Sequence, residues 1–413
     1  MVTRRHRLTT AGRAVLTVVT AFGVLAGAAL AGAAPAGAAS AGRRIAPGIT
    51  YRQFDVDAAA GPAHVHLLTV DLANPHVRVD LLYPGTVAAR ATVSGMADAT
   101  RAVAGVNGDF FNITETQHPG VQATGASVGP AIADGRVLKA AVPDGQRFGP
   151  ALPPGTNTQD VFGVGTDRRA RLDHLALVGS VATPEGRLPL KGLNQYALPE
   201  NSVGAFTAQW GSASRKRSVC GTDTQRSAPC STDTHEVTVR DGRVASTADT
   251  PGSGTIPSDT TVLVGREEGA QQLRKLSVGD EVSVTHTLVA ASSGVPYAFA
   301  IGGFPVLRDG TALSGLDDST SAVRTVVGLK GGGQQMLILA LDGAAAYRTG
   351  MTVAEEAATM RSLGASDAFN LDGGGSTELV TRDAGASAVT VRNHPSGGAE
   401  RPVANGIGVF SAP

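Results

Sequence analysis

The chain has 413 residues, with 53 Gly and 22 Pro against 11 Phe, 5 Tyr and 1 Trp. Glycine is far above its ordinary share of roughly 7% but lacks the strict period of collagen, and a hydrophobic fraction of 42% excludes wholesale disorder. The 35 basic residues balance 35 acidic ones, which excludes a broad nucleic-acid-binding face.

Residues 1–38 read as a signal peptide. Arg4, Arg5, Arg7 and Arg13 precede an apolar run from Ala14 to about Leu30, and Ala36-Gly37-Ala38 ends it as a small-residue cleavage site. The run is long enough to cross a bilayer, but its Ala and Gly content and its ending favour removal. No stable membrane insertion is then expected, and the protein is expected to be secreted, extracellular or associated with the cell wall. Removal takes away four Arg and no acid, leaving 31 basic residues against 35 acidic. Residues 39–50 read as a flexible leader. Export permits a disulfide, and the two cysteines, Cys220 and Cys230, close a short polar loop without His at zinc spacing. A Cys220–Cys230 bridge is expected.

From Tyr51 onward the pattern is mostly β. Ala63–Leu72 and His76–Leu82 alternate around an Asn74-Pro75 turn. A short helix is predicted over Thr92–Thr100, leading into a strand at Ala102–Val106. Residues 140–290 read as an insertion or elaborated subdomain, with a Pro-rich start and a hairpin of His235–Arg240 and Arg243–Ser246 about Asp241-Gly242. Within it Thr261–Val264 and Glu281–Val289 are predicted strands, and Arg266–Leu276 a helix. Further on, Arg324–Leu329 and Gln335–Leu341 flank a triple glycine as a hairpin. Met351–Leu363 is the clearest helix, with a Thr352/Glu355 capping box and Gly364 as its stop. Ala368–Leu371, Ala388–Val391 and Val403–Phe410 are the last predicted strands. Strands outnumber helices and do not alternate with them, so the fold class is α+β, strand-rich, with mixed and antiparallel sheets.

Two strands run into Asp-Gly turns that carry chemistry. Asp372-Gly373-Gly374-Gly375-Ser376 has more glycine than a tight turn needs, and such a run aims backbone N–H groups at an anion. Asn370 lies one strand period earlier. Leu341-Asp342-Gly343 repeats the pattern, and paired carboxylates suit glycoside hydrolysis, in which one carboxyl is raised in pKa to protonate the leaving oxygen. The same pair could instead hold a divalent cation, calcium or magnesium, and no other cofactor is indicated. Arg324 offers a grip for phosphate. Asp134-Gly135, Asp241-Gly242 and Asp309-Gly310 read as plain turns. Gly125-Ala126-Ser127-Val128-Gly129 has the G-x-S-x-G spacing, but Pro130 follows where a nucleophile elbow needs a helix, so the match is read as chance.

Val106-Asn-Gly-Asp-Phe-Phe111, Ile301-Gly-Gly-Phe-Pro305, Arg324–Leu329, Leu341-Asp-Gly343, Gly350–Ala357, Asn370–Thr377 and the stretch from Asn393-His-Pro-Ser396 through Glu400-Arg-Pro402 to Gly408 together resemble the phosphodiester glycosidase family. The resemblance implies a phosphodiester glycosidase-like domain over residues 51–413. It also implies hydrolysis of a glycosyl phosphodiester at the sugar anomeric C–O bond, with N-acetylglucosamine as the candidate sugar. On this reading Asp342, Asp372 and Asp109 are the catalytic candidates. Arg324 and Gly373, Gly374, Gly375 and Ser376 hold phosphate. Asn107, Asn370 and Asn405 bind sugar hydroxyls, and Gly108, Gly302, Gly303, Gly343, Asn393 and Arg401 complete the pocket. The partner is a carbohydrate or sugar phosphate. Two further readings stay open: a glycosidase acting on phosphate-free wall or exopolysaccharide linkages, and a non-catalytic polysaccharide-binding protein. The sequence departs from the family where Ala344 follows Asp342-Gly343 in place of Arg, with Arg348 as a stand-in. It departs also at Asp109, where many members have Gly, and at Glu378.

Overall fold

A computed structural model describes residues 42–412, so the signal segment and the first residues of the expected leader lie outside the described residues. The rest of that leader is β-structure: Arg43–Ala46 turns back onto Ile49–Ala58 and pairs with it.

Three sheets carry the chain. The first has eight strands in the order Arg43–Ala46, Ile49–Ala58, Gly61–Asp71, Gln335–Leu341, Thr325–Lys330, Asp367–Asn370, Phe304–Arg308 and Thr311–Ala312. Its central strand, Thr325–Lys330, is antiparallel to both Gln335–Leu341 and Asp367–Asn370, and Thr325–Leu329 is buried. Near-continuous apolar runs in these strands fit burial on both faces. Val326, Val327, Ile338, Leu339 and Phe369 lie in the main core.

The second sheet has five strands, in the order Thr390–Val391, Leu379–Thr381, Ala104–Asn107, Gly406–Ser411 and Val77–Leu82. The alternating segments either side of Asn74-Pro75 therefore enter different sheets instead of pairing with each other. The third sheet is eleven-stranded and built mostly from residues 160–290, together with Ala131–Ala133, Arg136–Lys139 and Tyr297–Gly302. The Asp241-Gly242 hairpin forms there, as Thr234–Arg240 against Arg243–Ala248.

Three α-helices are found among the described residues: Val93–Thr100, Glu268–Leu273 and Val353–Ser362. The last carries the full Thr352/Glu355 capping box. The middle one is only six residues long, because the strand Thr260–Arg266 takes the expected first residue and the helix stops at Leu273, short of Leu276. No helix among the described residues is long and apolar enough to cross a membrane.

Candidate active site

The site follows from strand polarity. Because Thr325–Lys330 runs opposite to both of its neighbours, the ends of Gln335–Leu341 and Asp367–Asn370 flank its beginning. Asp342 and Asp372 thus emerge at the same edge of the first sheet, one on each side of Arg324. The second sheet meets this edge at Asn107: Asp372 N donates to Gly108 O at 2.8 Å, and Asn107 Nδ2 donates to Asp372 O at 2.7 Å. This cross-link between sheets brings Asp109 beside Asp372.

Asp109 is 1% exposed. Its backbone N donates to Asn405 Oδ1 at 2.9 Å, and its Oδ2 accepts from Gly129 N at 2.6 Å. Its Oδ1 is buried with no hydrogen-bond partner among the described residues. Burial pushes its pKa up to about 6, against the opposing pull of Lys139, the Gly129 N–H and Arg147. Lys139 is equally buried, and its ammonium donates to the carbonyls of Val128, Gly129 and Ala140. Burial lowers its pKa, against the opposing pull of Asp109.

Asp372 is half-buried at the lip of the turn. Desolvation raises its pKa to about 6, only partly offset by hydrogen bonds from Ser376 and Gly373 N and by Arg401, while Asp109 raises it further. Arg401 Nη1 lies 3.3 Å from Ser376 Oγ. The guanidinium lies against Gly375, where a Cβ would come within 2.3 Å of Nη2. A side chain at 375 would therefore displace the cation nearest Asp372.

Asp342 is in a different state. Its oxygens accept from His66 Nε2 at 3.0 Å, His394 Nδ1 at 2.9 Å and Ala344 N at 2.7 Å. Burial works to raise its pKa, but the bonds from His394, Ala344 N and His66 outweigh it and hold the carboxyl below its usual range. Burial lowers His66 to about 4 despite Asp342 beside it, and Tyr51 Oη lies 2.7 Å from His66 Nδ1. The His394 side chain is 75% exposed, so Asp342 orients an imidazole that faces solvent.

The described segment matches a family model for phosphodiester glycosidase over residues 233–410. The matched stretch supplies Asp342, Asp372, Ser376 and Arg401, whereas Asp109 and Lys139 come from the chain before it. In structure the chain is similar to a hypothetical protein from Synechocystis, with a TM-score of 0.67 and 20% identity over 89% of this chain and 62% of that one. It spans about three fifths of that protein's length. It is also similar to a Burkholderia pseudomallei protein, with a TM-score of 0.62 and 22% identity over 84% of this chain and 74% of that one. The catalytic domain of zebrafish N-acetylglucosamine-1-phosphodiester alpha-N-acetylglucosaminidase matches with a TM-score of 0.44 and 15% identity, over 91% of this chain and 87% of that one. No curated protein sequence matches the chain.

Several residues expected to bind substrate serve the scaffold. Arg324 is buried, and its guanidinium donates to Met351 O at 2.9 Å and Thr320 O at 2.6 Å. It acts on Glu356 of the helix Val353–Ser362 and not on the glycine turn, because the strand start directs the side chain to the helix face. Asn393 bonds Leu379 N and Thr377 O, Asn370 Nδ2 donates to Leu371 O, and Gly343 packs against the His394 carbonyl. Asn107 Oδ1 accepts from Thr325 Oγ1 and Glu378 N. Gly303 abuts Asn370 O, Gly108 abuts Asn405, and Gly373 and Gly374 lie against Val323 O. Arg348 is exposed. Ser127 of the G-x-S-x-G match is buried in a bridge to Phe111 with no helix after it.

The structure adds three residues that sequence reasoning passed over, Lys139, Arg147 and His66, and shows the state of Glu378, which the sequence marked only as a departure from the family. Burial, then the hydrogen bond to Glu400, push Glu378 up to about 9. For cations, His118, Cys220 and Cys230 form the one cluster of three potential ligands among the described residues, and both sulfurs are consumed in the Cys220–Cys230 disulfide.

Proposed function

We propose that the protein is an exported hydrolase that cleaves a glycosyl phosphodiester at the anomeric C–O bond, with Asp109 and Asp372 as its working carboxyl pair. Water adds across that bond: the sugar keeps the new hydroxyl, and the phosphomonoester leaves. The reading rests on one observation, that two carboxyls from different sheets stand together with proton affinities near pH 6, one of them with a free buried oxygen. Glycoside hydrolysis asks for one ionised and one protonated carboxyl at the same time, and a mutually repelling pair supplies that state near pH 6. Arg401 and the Gly375–Ser376 turn stabilise charge on the departing oxygen. Asp342 is a positioning residue for His394. The disulfide supports an oxidising compartment.

The test is turnover of an N-acetylglucosaminyl phosphodiester by the purified protein, Asp109→Asn and Asp372→Asn. Each substitution should lower kcat by about 10²–10⁴, the contribution of a general acid or base. Release of sugar from phosphate-free glycans alone would replace this reading with an ordinary glycosidase. Binding without any release would replace it with a polysaccharide-binding protein.

A further inference from the structure

Arg324, the expected phosphate grip, spends its guanidinium on backbone carbonyls. Two other arginines are better placed. Arg147 and Arg226 line an open groove of about 710 Å³ that also includes Asp144, Thr156, Asp223 and Thr224. The Arg147 Cζ lies 5.2 Å from the ring of Phe110, the residue after Asp109, and 5.8 Å from that of Phe304. These two rings stack on each other with centroids 6.0 Å apart. The Arg226 Cζ lies 4.1 Å over Phe148, and its Nη1 donates to Arg147 O at 2.5 Å.

Neither guanidinium is ion-paired among the described residues. Arg147 donates to Pro150 O, and Arg226 faces the Gln117 amide oxygen, so their hydrogen bonds go to neutral groups. The two acids in the groove make their hydrogen bonds to neutral donors, Asp144 Oδ1 accepting from Thr158 N and Oγ1 and Asp223 Oδ1 from Glu200 N, and neither forms an ion pair with the arginines. The two like charges repel, Asp109 and Asp144 act against that repulsion at Arg147, and an anion bound between the two forks would add to their pull. A guanidinium seated on an aromatic face is weakly hydrated and already ordered, which suits it to an oxyanion. Arg226 is carried by the loop that the Cys220–Cys230 bridge closes. That loop is further tied by Gln146 Nε2 to Thr222 O at 2.5 Å, His118 Nε2 to Ala228 O at 2.8 Å and Arg266 Nη2 to Gly221 O at 2.9 Å.

We propose that Arg147 and Arg226 form an anion subsite beside Asp109 that takes the phosphate of the substrate's leaving group. The subsite rests on the hydrolase reading for its role in turnover, but not for its capacity to bind. A phosphate fits better than a carboxylate, because its oxygens can meet two separate forks at once. Both arginines precede residues 233–410, so the subsite lies outside the matched stretch.

The experiment is calorimetric titration of the purified protein with glycerol 3-phosphate at low ionic strength, and separately with glucuronate. Binding of the phosphomonoester is expected, with glucuronate at least tenfold weaker. Arg147→Gln and Arg226→Gln should each weaken phosphomonoester binding about tenfold or more, the loss of a charge-assisted contact worth about 1.4 kcal/mol. Asp109→Asn should keep or tighten it while turnover is lost. Arg226→Lys retains the charge and gives an intermediate loss if the Gln variant fails to fold. Equal binding of glucuronate, no phosphomonoester binding by the wild type, or wild-type binding by the folded Arg variants would overturn the proposal. Phosphomonoester binding that depends on both arginines without cleavage of any glycosyl compound would sink the hydrolase reading and leave the subsite standing.

Discussion

Substituting Gly302 by Ala tests how tightly Asp109 is placed. A Cβ at 302 would lie 2.5 Å from Asp109 Oδ2 and 2.7 Å from Gly129 Cα. Restoring ordinary contact needs a shift of about 1 Å, and the second neighbour is backbone, which cannot rotate away. Overpacking of this kind costs about 1–3 kcal/mol. At roughly 2–4 °C of Tm per kcal/mol for large domains, that is a drop of several degrees. Activity should suffer more. The 2.6 Å bond from Gly129 N to Asp109 Oδ2 lies in the path of the new methyl, and misplacing a reacting group by about 1 Å costs on the order of 100-fold in rate. The control is Gly294→Ala, where a Cβ meets nothing within 4 Å and the backbone is not in the left-handed region. The assay is kcat/KM on a glycosyl phosphodiester alongside a thermal melt of each variant. Should Gly302→Ala keep kcat/KM within twofold of the control, Gly302 does not shape the site and the reasoning is wrong.

Other outcomes follow from the same geometry. The pH profile of kcat/KM should be bell-shaped with its maximum near pH 6, since both Asp109 and Asp372 are raised to about that value; a flat profile from pH 4 to 8 would contradict the paired-carboxyl reading. Glu356 is buried with both oxygens unpartnered and its pKa raised by burial to about 8. The folded state therefore holds this proton above the unfolded value of 4.5, and stability falls as pH rises from there through 8. Glu356→Gln should leave Tm unchanged near pH 4 and raise it near pH 8.5, as differential scanning calorimetry would register. Asp342→Ala should lower stability by about 3 kcal/mol in urea titration at pH 7, since it strands the hydrogen bonds of His66 and His394, yet keep far more activity than Asp372→Asn. Reducing Cys220–Cys230 should release about 3 kcal/mol of loop constraint and raise KM for a phosphodiester more than for a neutral glycoside, measured with and without dithiothreitol.

Local signals in the sequence carried their elements into the structure. Thr352, Glu355 and Gly364 bound the longest helix, and the glycine turns at 241–242 and 331–333 close hairpins with their expected partners. Long-range pairing was not legible. Nothing near Asn74-Pro75 says that the strands either side enter different sheets, and Ala170–Thr183 divides its length among three partner strands, so no single alternation marks it. At the site, the glycine run announced Asp372. Asp109 was reached through the family resemblance. Lys139 and Arg147 are isolated basic residues whose meaning depends on what is folded against them. Arg324 failed as a phosphate grip because the sequence gives its position on a strand but not the side to which it turns. His394 read as a loop residue, and only the return of that loop onto Asp342 gives it a fixed orientation.

The two carboxyls sit on a seam, held shut by the bonds from Asp372 N to Gly108 O and from Asn107 Nδ2 to Asp372 O. Each sheet can keep its own hydrogen-bond ladder while the seam parts. Catalytic competence then reports a local opening and not the melting of either sheet. On gentle heating the protein should lose the proposed turnover, and the Asp372 amide should exchange its proton, while the β-sheet signal in circular dichroism is still intact.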